Sequence, residues 1–247
     1  TMADFISIAV ERSRLFEELQ RRKQLEIDTM KRELQIAHDM QMALLPERPP
    51  RLEGVELSGV CKPSREVGGD YYSYLQLDSG KLAIVISDVS GKGMQAATIA
   101  MRFNEMLLYE SREADQPVEL LKKLDRSLLG RIPDEMFITA GIAVLDIRNR
   151  SLNIASAANP EIYLYSAGKE EVVGLEITGF PLGIFEEPEV EEPFKSREID
   201  LNPGDVVVFT SDGVEEARGS GGEFYGGKRL AGVVLKAGRE EKSEEQI

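Results

Sequence analysis

The stretch Ser87–Arg102, SDVSGKGMQAATIAMR, says most about the fold, because a tight turn of small residues in it joins an apolar run to an alanine-rich segment. The apolar run predicts a buried strand, and the alanine-rich segment predicts a helix. A lysine in such a turn suggests a phosphate loop, which needs a glycine, four residues and then Gly-Lys-Ser/Thr. Here Ile86 stands at the first glycine position and Gly93 at the hydroxyl position. The stretch therefore does not fit a P-loop, and Asp88 is the residue in it that we consider as a candidate functional residue.

Segments on both sides of this stretch predict an α+β fold with antiparallel sheets. Two consecutive helices are predicted at 93–113 and 117–132. Strands are predicted before and after the helix pair, at 55–63, 70–78, 81–89, 136–148, 151–159, 161–167, 170–175 and 205–213. Strand runs that a helix pair interrupts do not alternate as βαβ units, and this order favours antiparallel sheets.

Composition and charge limit the partners of the chain. Of its 247 residues 42% are hydrophobic and 30% charged, and the net charge is −14. This charge disfavours nucleic acid and anionic lipid, since both attract basic surfaces. The single cysteine, Cys61, excludes an internal disulfide and indicates a reducing compartment. The sequence has neither an apolar run of about 18 residues nor the order of a signal peptide. We therefore expect a cytoplasmic protein without membrane insertion.

Residues 1–46 predict one long charged helix, because no glycine or proline occurs before Pro46. Its apolar residues recur in two registers, with Ile8, Leu15 and Leu19 in the first and Ile27, Met30, Leu34, Ala37 and Leu44 in the second. The second set has the spacing of a heptad seam, which does not continue the first. Such a helix predicts a homodimer, and the alternative is a helix folded against its own domain.

The prolines of PERPPRLEG (46–54) end this helix. We therefore divide the chain into a helical linker or coiled coil at 1–46 and a globular domain at 47–247.

Three aspartates share one local setting: Asp70, Asp88 and Asp212 each stand at the end of an apolar run, close to glycine. An aspartate at a strand end is fixed in position and can still face a cleft. Carboxylate and carbonyl oxygens are the ligands of hard divalent cations, and two such ions can activate a water for phosphoryl hydrolysis. Each of these aspartates could also be an ordinary turn residue, but three in one domain favour a metal site.

The other candidate nucleophiles have simpler interpretations. Cys61 lies in a predicted strand without a histidine nearby in sequence, which indicates a small core residue. The single histidine, His38, lies in the N-terminal helix, where we expect it to be exposed or at an interface. A Ser-His-Asp triad would need this histidine beside a serine in a cleft.

An ordered set of motifs resembles the SpoIIE-type branch of the metal-dependent (PPM) protein serine/threonine phosphatases, over about residues 34 to 235. The motifs are EVGGDYY (66–72), ISDVSGKGMQAA (86–97), ASAANP (155–160), FPLGIF (180–185) and VVFTSDGVEEA (207–217). The resemblance implies a β-sandwich of two antiparallel sheets flanked by helix pairs. It also implies a Mn²⁺- or Mg²⁺-dependent phosphatase acting on phosphoserine or phosphothreonine, with a STAS-type anti-sigma-factor antagonist as substrate.

By this resemblance Asp70, Asp88 and Asp212 are metal ligands with catalytic function, and the backbone carbonyl of Val89 is a further ligand. Asn159 and Gly183 fall in motifs that shape the site. Members of the family take another ligand from a C-terminal segment with paired aspartates, and this sequence contains no such segment before Ile247. We therefore expect one ligand of the two-metal site to be missing. At position 73, where an acidic residue is common, the chain has serine, so an outer-sphere contact is expected to be missing.

The N-terminal segment resembles the helix that precedes these phosphatase domains as a regulatory switch, and 1–19 resembles the exit helix of a GAF-type sensor. We therefore expect the chain to be part of a longer sensor–phosphatase, regulated through its helical dimer. Two alternatives stay open. One is a partner-binding module of the same fold without catalysis. The other is a histidine-kinase-like protein with His38 as phosphoacceptor and 88–93 as an ATP lid, although Ser90 stands where that lid has glycine.

Overall fold

The computed structural model describes residues 2–63, 66–159, 161–184 and 192–240, with side chains from residue 11 onward. Its helices are α1 (Met2–Met42), α2 (Met94–Glu110), α3 (Pro117–Leu128), α4 (Asp212–Glu215) and α5 (Gly227–Arg239). Its strands are β1 (Tyr71–Gln76), β2 (Leu82–Val89), β3 (Ile138–Asp146), β4 (Ser151–Ala157), β5 (Ile162–Ser166), β6 (Glu171–Leu175), β7 (Ser196–Asp200) and β8 (Val206–Val208).

The strands form two antiparallel sheets. The larger sheet has the order β1-β2-β3-β4-β7, and the smaller has the order β6-β5-β8. Each pairing in both sheets is antiparallel. The prediction of an α+β sandwich with a helix pair between its strand runs is confirmed.

The helix pair α2 and α3 covers one face of the larger sheet, and a contiguous core lies between them. The largest fully buried side chains of this core include Phe103, Leu107, Leu121, Leu124, Ile138 and Ile142. Both helices are amphipathic, and their apolar stripes face the sheet because burying them is the main favourable term in folding.

A second core lies between the two sheets, and a third lies between the smaller sheet and α5. The second is built by Leu82, Leu145, Leu152, Ile154, Ile162 and Leu175. The third is built by Tyr163, Tyr165, Leu230 and Val234. The order of layers is therefore helix pair, larger sheet, smaller sheet and α5.

Two segments differ from the strand prediction. Residues 55–63 form no strand, and only an isolated bridge pairs Leu52 with Val55. The strand β7 was not predicted, because apolar and polar residues do not alternate in its sequence SREID and three of its five residues are charged. It pairs with β4 at the edge of the larger sheet, where charged side chains are common in natural proteins.

The N-terminal helix α1 is continuous, as predicted, and the side chains of its upper part, residues 11–33, are almost all exposed to solvent. Leu15, Leu19, Ile27 and Met30 are exposed, Met30 to 65%. The side chain of Ile8 lies outside the described residues. The apolar residues from 15 to 30 are therefore available for a partner, and the homodimer stays a prediction.

The last turns of α1 contact the domain instead. Leu34 and Ala37 are half-buried, Gln41 is only 4% exposed, and Leu44 and Leu45 pack against the core under the helix pair. The alternative of a helix folded on its own domain therefore applies to this lower part. None of the described helices has the length and apolarity needed to cross a membrane.

Candidate metal centre

The strands β1 and β2 bring two of the predicted ligands together. Their register pairs Tyr71 with Ser87, and one further step in the same register places Asp70 opposite Asp88. The backbone confirms this step, since the N–H of Val89 donates to the carbonyl oxygen of Gly69 at 3.3 Å. Side chains of directly opposed residues project from the same face of a sheet, so the two carboxylates are neighbours.

Alternation along the strands decides which face they share. In β2, Val85 and Val89 pack toward the helix pair, whereas Leu82 and Ile84 pack toward the smaller sheet. Successive side chains of a strand point to opposite faces, so Asp88 projects with Leu82 and Ile84 into the space between the sheets. Asp70 and Asp88 therefore stand at one end of the sandwich, where they line a groove that belongs to an extended cavity of about 2230 Å³.

Gly69 explains why the two ligand segments can approach so closely. A Cβ atom at this position would lie 2.7 Å from Oδ1 of Asp88 and would also overlap the carbonyl oxygen of Val89. Any side chain there would displace the two groups that are predicted to bind a metal. The glycine is therefore required by close packing at this point.

The turn after Asp88 redirects the chain from strand to helix, as predicted. Gly91 and Gly93 have φ angles of 98° and 70°, which favour glycine. Ser90 holds the turn to the start of β3, because its N–H donates to the carbonyl of Phe137 at 2.9 Å and its Oγ accepts from the N–H of Phe137 at 2.8 Å.

Asp212 reaches the same groove from the smaller sheet. It is the first residue of α4, four residues after the end of β8, and it is exposed. The turn before it is tied to the larger sheet by Asn159, whose Nδ2 donates to the carbonyl of Thr210 at 3.5 Å. The N–H of Asn159 in turn donates to Oγ of Ser156 at 3.0 Å. Asn159 therefore connects the end of β4 to the segment that carries Asp212.

Gly183 has a structural role. Its φ angle is 85°, and its N–H donates to Oδ1 of Asp125 in α3 at 2.8 Å. A Cβ atom there would overlap the side chain of Ile132. The neighbouring Leu182 exchanges two backbone hydrogen bonds with Ile138. This loop therefore supports the start of β3, which pairs with β2 beside Asp88.

The electrostatics of the aspartates show that they repel one another. Burial, followed by the negative charges of Asp70 and Asp212, raises the pKa of Asp88 from 3.8 to about 7. Burial likewise raises the pKa of Asp70, with a smaller contribution from Asp212, while hydrogen bonding with the Ser211 side chain opposes the rise. Burial and the neighbouring negative charges disfavour the charged forms, and a cation between the carboxylates would favour them instead.

A divalent cation fits this donor set. Among the described residues, Oδ1 of Asp70 is buried and has no hydrogen-bond partner, and none of the described ion pairs involves Asp70, Asp88 or Asp212. No three acidic, histidine or cysteine side chains of the described part converge tightly enough to form a complete ligand cluster. The carboxylates are thus near enough to shift one another's charge state, but they do not converge as closely as the ligands of a bound ion, because like charges repel.

Ser73 does not bear on this site. It is buried on the face of β1 that carries Tyr71 and Leu75 toward the helix pair, opposite to the face of Asp70. Strand alternation turns the side chain at position 73 away from Asp70, and the missing outer-sphere contact stays a prediction.

Cys61 and His38 are both closer to the site than expected. Cys61 lies in an irregular segment rather than a strand and is half-buried, with its Sγ 3.9 Å from the carbonyl oxygen of Asp70. Burial, with the charges of Asp70 and Asp88, raises the pKa of its thiol to about 11. His38 is half-buried, and its Nδ1 lies 2.5 Å from the carbonyl oxygen of Glu66.

Comparison with known proteins identifies relatives of this chain. The sequence model of the family described as Stage II sporulation protein E (SpoIIE) matches residues 78–247. The phosphoserine phosphatase RsbU of Bacillus subtilis is 30% identical over 193 residues, which cover 78% of this chain and 56% of that protein. The phosphoserine phosphatase RsbP of the same organism is 28% identical over 203 residues, covering 80% and 48%. The chain thus spans about half the length of the curated relatives it matches.

A solved structure extends the likeness to the fold. The SiaA-PP2C domain of Pseudomonas aeruginosa superposes with a TM-score of 0.71 at 26% identity, covering 86% of this chain and 84% of that domain. The match confirms the PP2C-like arrangement of two antiparallel sheets with helices. The family match also includes the segment 88–93, which favours a phosphatase over the kinase-like alternative.

Proposed function

This chain belongs to the SpoIIE family, and on that basis we propose that it is a metal-dependent protein phosphatase that hydrolyses phosphoserine or phosphothreonine. The observation that carries the proposal is the opposed pair Asp70 and Asp88, with a buried carboxylate oxygen that has no partner among the described residues. Burial raises the pKa of both carboxyl groups, and the charges of Asp70 and Asp212 raise that of Asp88 further, as is common at functional sites.

The residues that would hold Mn²⁺ or Mg²⁺ are Asp70, Asp88, Asp212 and the carbonyl of Val89. When bound, such ions supply a water of lowered pKa and neutralise the phosphoryl oxygens. The chain itself orients the ligands: Gly69 allows the close approach, and Asn159 ties the segment before Asp212 to the larger sheet.

The groove beside these ligands accommodates a phosphorylated segment of a protein. It is part of an extended cavity of about 2230 Å³ in total, which also reaches residues as far away as Arg150 and Arg239, and its lining includes Lys62 and Lys92. These two lysines lie in the segments that carry Asp70 and Asp88, and they supply positive charge for a phosphate dianion. The substrate that we propose is a STAS-type anti-sigma-factor antagonist phosphorylated on serine.

We also propose that the helical linker at 1–46 regulates the phosphatase domain at 47–247 as a homodimer in the cytoplasm. The exposed apolar residues from Leu15 to Met30 provide the dimer surface. The last turns of α1, which contact the domain, would pass a change of helix packing to the loop before Asp70.

Phosphate release from a serine-phosphorylated STAS-type protein tests this function. We expect release with Mn²⁺, none with EDTA, and a fall of about 100-fold or more in Asp88→Asn. Asp78→Asn is the matched control, because Asp78 is an exposed turn residue between β1 and β2. Binding of the phosphoprotein without release would favour the partner-binding module, and equal rates in Asp88→Asn and Asp78→Asn would exclude the proposed site.

A further inference from the structure

Gln41 is a buried polar residue with a defined pair of contacts. It lies in the last turn of α1 and is 4% exposed. Its Nε2 donates to the carbonyl oxygen of Gly68 at 2.7 Å, and its Oε1 accepts from the N–H of Gly68 at 3.1 Å. One side-chain amide thus satisfies both backbone polar groups of a single residue, in the way that a neighbouring strand would.

The residue that Gln41 binds is directly linked to the candidate metal centre. Gly68 precedes Gly69, whose carbonyl accepts the N–H of Val89, and Gly69 precedes Asp70. Gln41 is therefore linked to Val89, the proposed carbonyl ligand, through its hydrogen bonds to Gly68 and the hydrogen bond between Gly69 and Val89. Gly68 is also only two peptide bonds from Asp70. Among side chains in their usual ionisation state at neutral pH, only glutamine offers both a donor and an acceptor in this planar arrangement at this length.

A second contact of α1 with the same loop supports this role. His38 lies one turn before Gln41 on the same face of the helix, and its Nδ1 meets the carbonyl oxygen of Glu66. Leu44 and Leu45, just after the helix, are held in the core under the helix pair. The loop 66–68 is therefore attached to α1 by two side chains, while α1 is anchored to the domain immediately beyond them.

We propose that Gln41 is a positioning residue that holds Gly68 and Gly69 where Asp70 and the carbonyl of Val89 converge. If α1 rotates or shifts, the amide leaves Gly68, the two backbone groups of Gly68 lose their partners, and the ligand pair opens. The inference has two halves. The structural half is that Gln41 attaches the loop 66–68 to α1, and it does not depend on the proposed function. The metal half is that this attachment positions the metal ligands, and it rests on the proposed function.

Backbone amide exchange in the metal-free protein tests the structural half. In Gln41→Leu we expect at least about tenfold faster exchange at Gly68 and Val89, because the side chain then offers no acceptor and the loop is released. Gln35→Leu is the matched control, since Gln35 lies on the same helix and its amide reaches only Asp39, on the exposed surface. Gln41→Asn is the second variant. It keeps the amide on a side chain that is shorter by one methylene, and it should also make amide exchange at Gly68 and Val89 faster.

Mn²⁺ titration by calorimetry tests the metal half. Residues that orient metal ligands typically change affinity about 10- to 100-fold, and we expect a loss in this range for both Gln41 variants and none for Gln35→Leu. Turnover of Gln41→Leu should recover at high Mn²⁺ with an unchanged KM for substrate, which a misfolded domain would not show.

Unchanged exchange at Gly68 and Val89 in both Gln41 variants would overturn the inference, as would equal effects in Gln35→Leu. Faster exchange with unchanged Mn²⁺ affinity would refute the positioning role. If the wild-type chain itself neither binds Mn²⁺ nor releases phosphate, the proposed function fails, and the exchange comparison in the metal-free protein still decides whether Gln41 holds the loop.

Discussion

Asp70 and Asp88 face each other across the ends of two antiparallel strands, and neither forms an ion pair with another described residue. The two carboxylates lie together on the face between the sheets, although burial raises the pKa of both and the charges of Asp70 and Asp212 raise that of Asp88 further. Such an arrangement costs stability in the metal-free protein and is offset when a cation binds. Four predictions depend on this relationship and on the helix that adjoins it.

The first prediction concerns metal affinity. Asp88→Asn keeps the shape of the side chain and removes its charge, so we expect Mn²⁺ binding about 100-fold weaker or lost, because a charged oxygen ligand is replaced by an amide. Calorimetric titration measures it, with Asp78→Asn as the control in an exposed turn. Wild-type affinity in Asp88→Asn would show that this residue is not a ligand.

The second prediction concerns pH. The pKa of Asp88 is raised from 3.8 to about 7, so between these values the folded protein binds more protons than the unfolded chain. The free energy of unfolding of the metal-free protein therefore falls as pH rises through this range. Urea unfolding in EDTA at pH 5 and pH 8 measures the difference, which should be smaller in Asp88→Asn. The same pH dependence in wild type and variant would contradict the assignment.

The third prediction concerns turnover without loss of fold. Asp212 is exposed at the start of α4, so Asp212→Asn should change the free energy of unfolding by no more than about 0.5 kcal/mol. As a proposed metal ligand it should nevertheless lower phosphate release by about 100-fold or more. Hydrolysis assays at saturating Mn²⁺, with thermal unfolding in parallel, measure both. An unchanged rate would remove Asp212 from the site.

The fourth prediction separates the two surfaces of α1. Met30 is 65% exposed, whereas Leu34 is half-buried near the domain. Met30→Glu should give monomers with unchanged domain stability. Leu34→Glu should lower the stability of the domain by about 1–3 kcal/mol and alter basal activity. Sedimentation equilibrium and urea unfolding distinguish these outcomes, and a wild-type chain that is monomeric at micromolar concentration would refute the dimer.

Much of the fold could be predicted because its signals are local. The apolar run before Asp88, the glycines after it and the alanine-rich segment each encode their own backbone conformation, and β2, the turn and α2 follow from them. The irregular segment 55–63 and the edge strand β7 could not be predicted. Their conformations depend on neighbouring chain rather than on a period in their own residues.

The candidate site divides in the same way. The sequence alone singled out Asp70, Asp88 and Asp212, because each stands at the boundary of a strand-forming run and close to a glycine. Ser73 points away from Asp70 because the two residues are an odd number of positions apart in extended chain. That Asp70 opposes Asp88, by contrast, depends on the register of β1 against β2, which the packing of the sheet sets. The role of Gln41 was also invisible in the pattern. It and Gly68 are 27 residues apart, and a glutamine in a charged helix has no local feature that predicts burial until docking of that helix brings a loop against it.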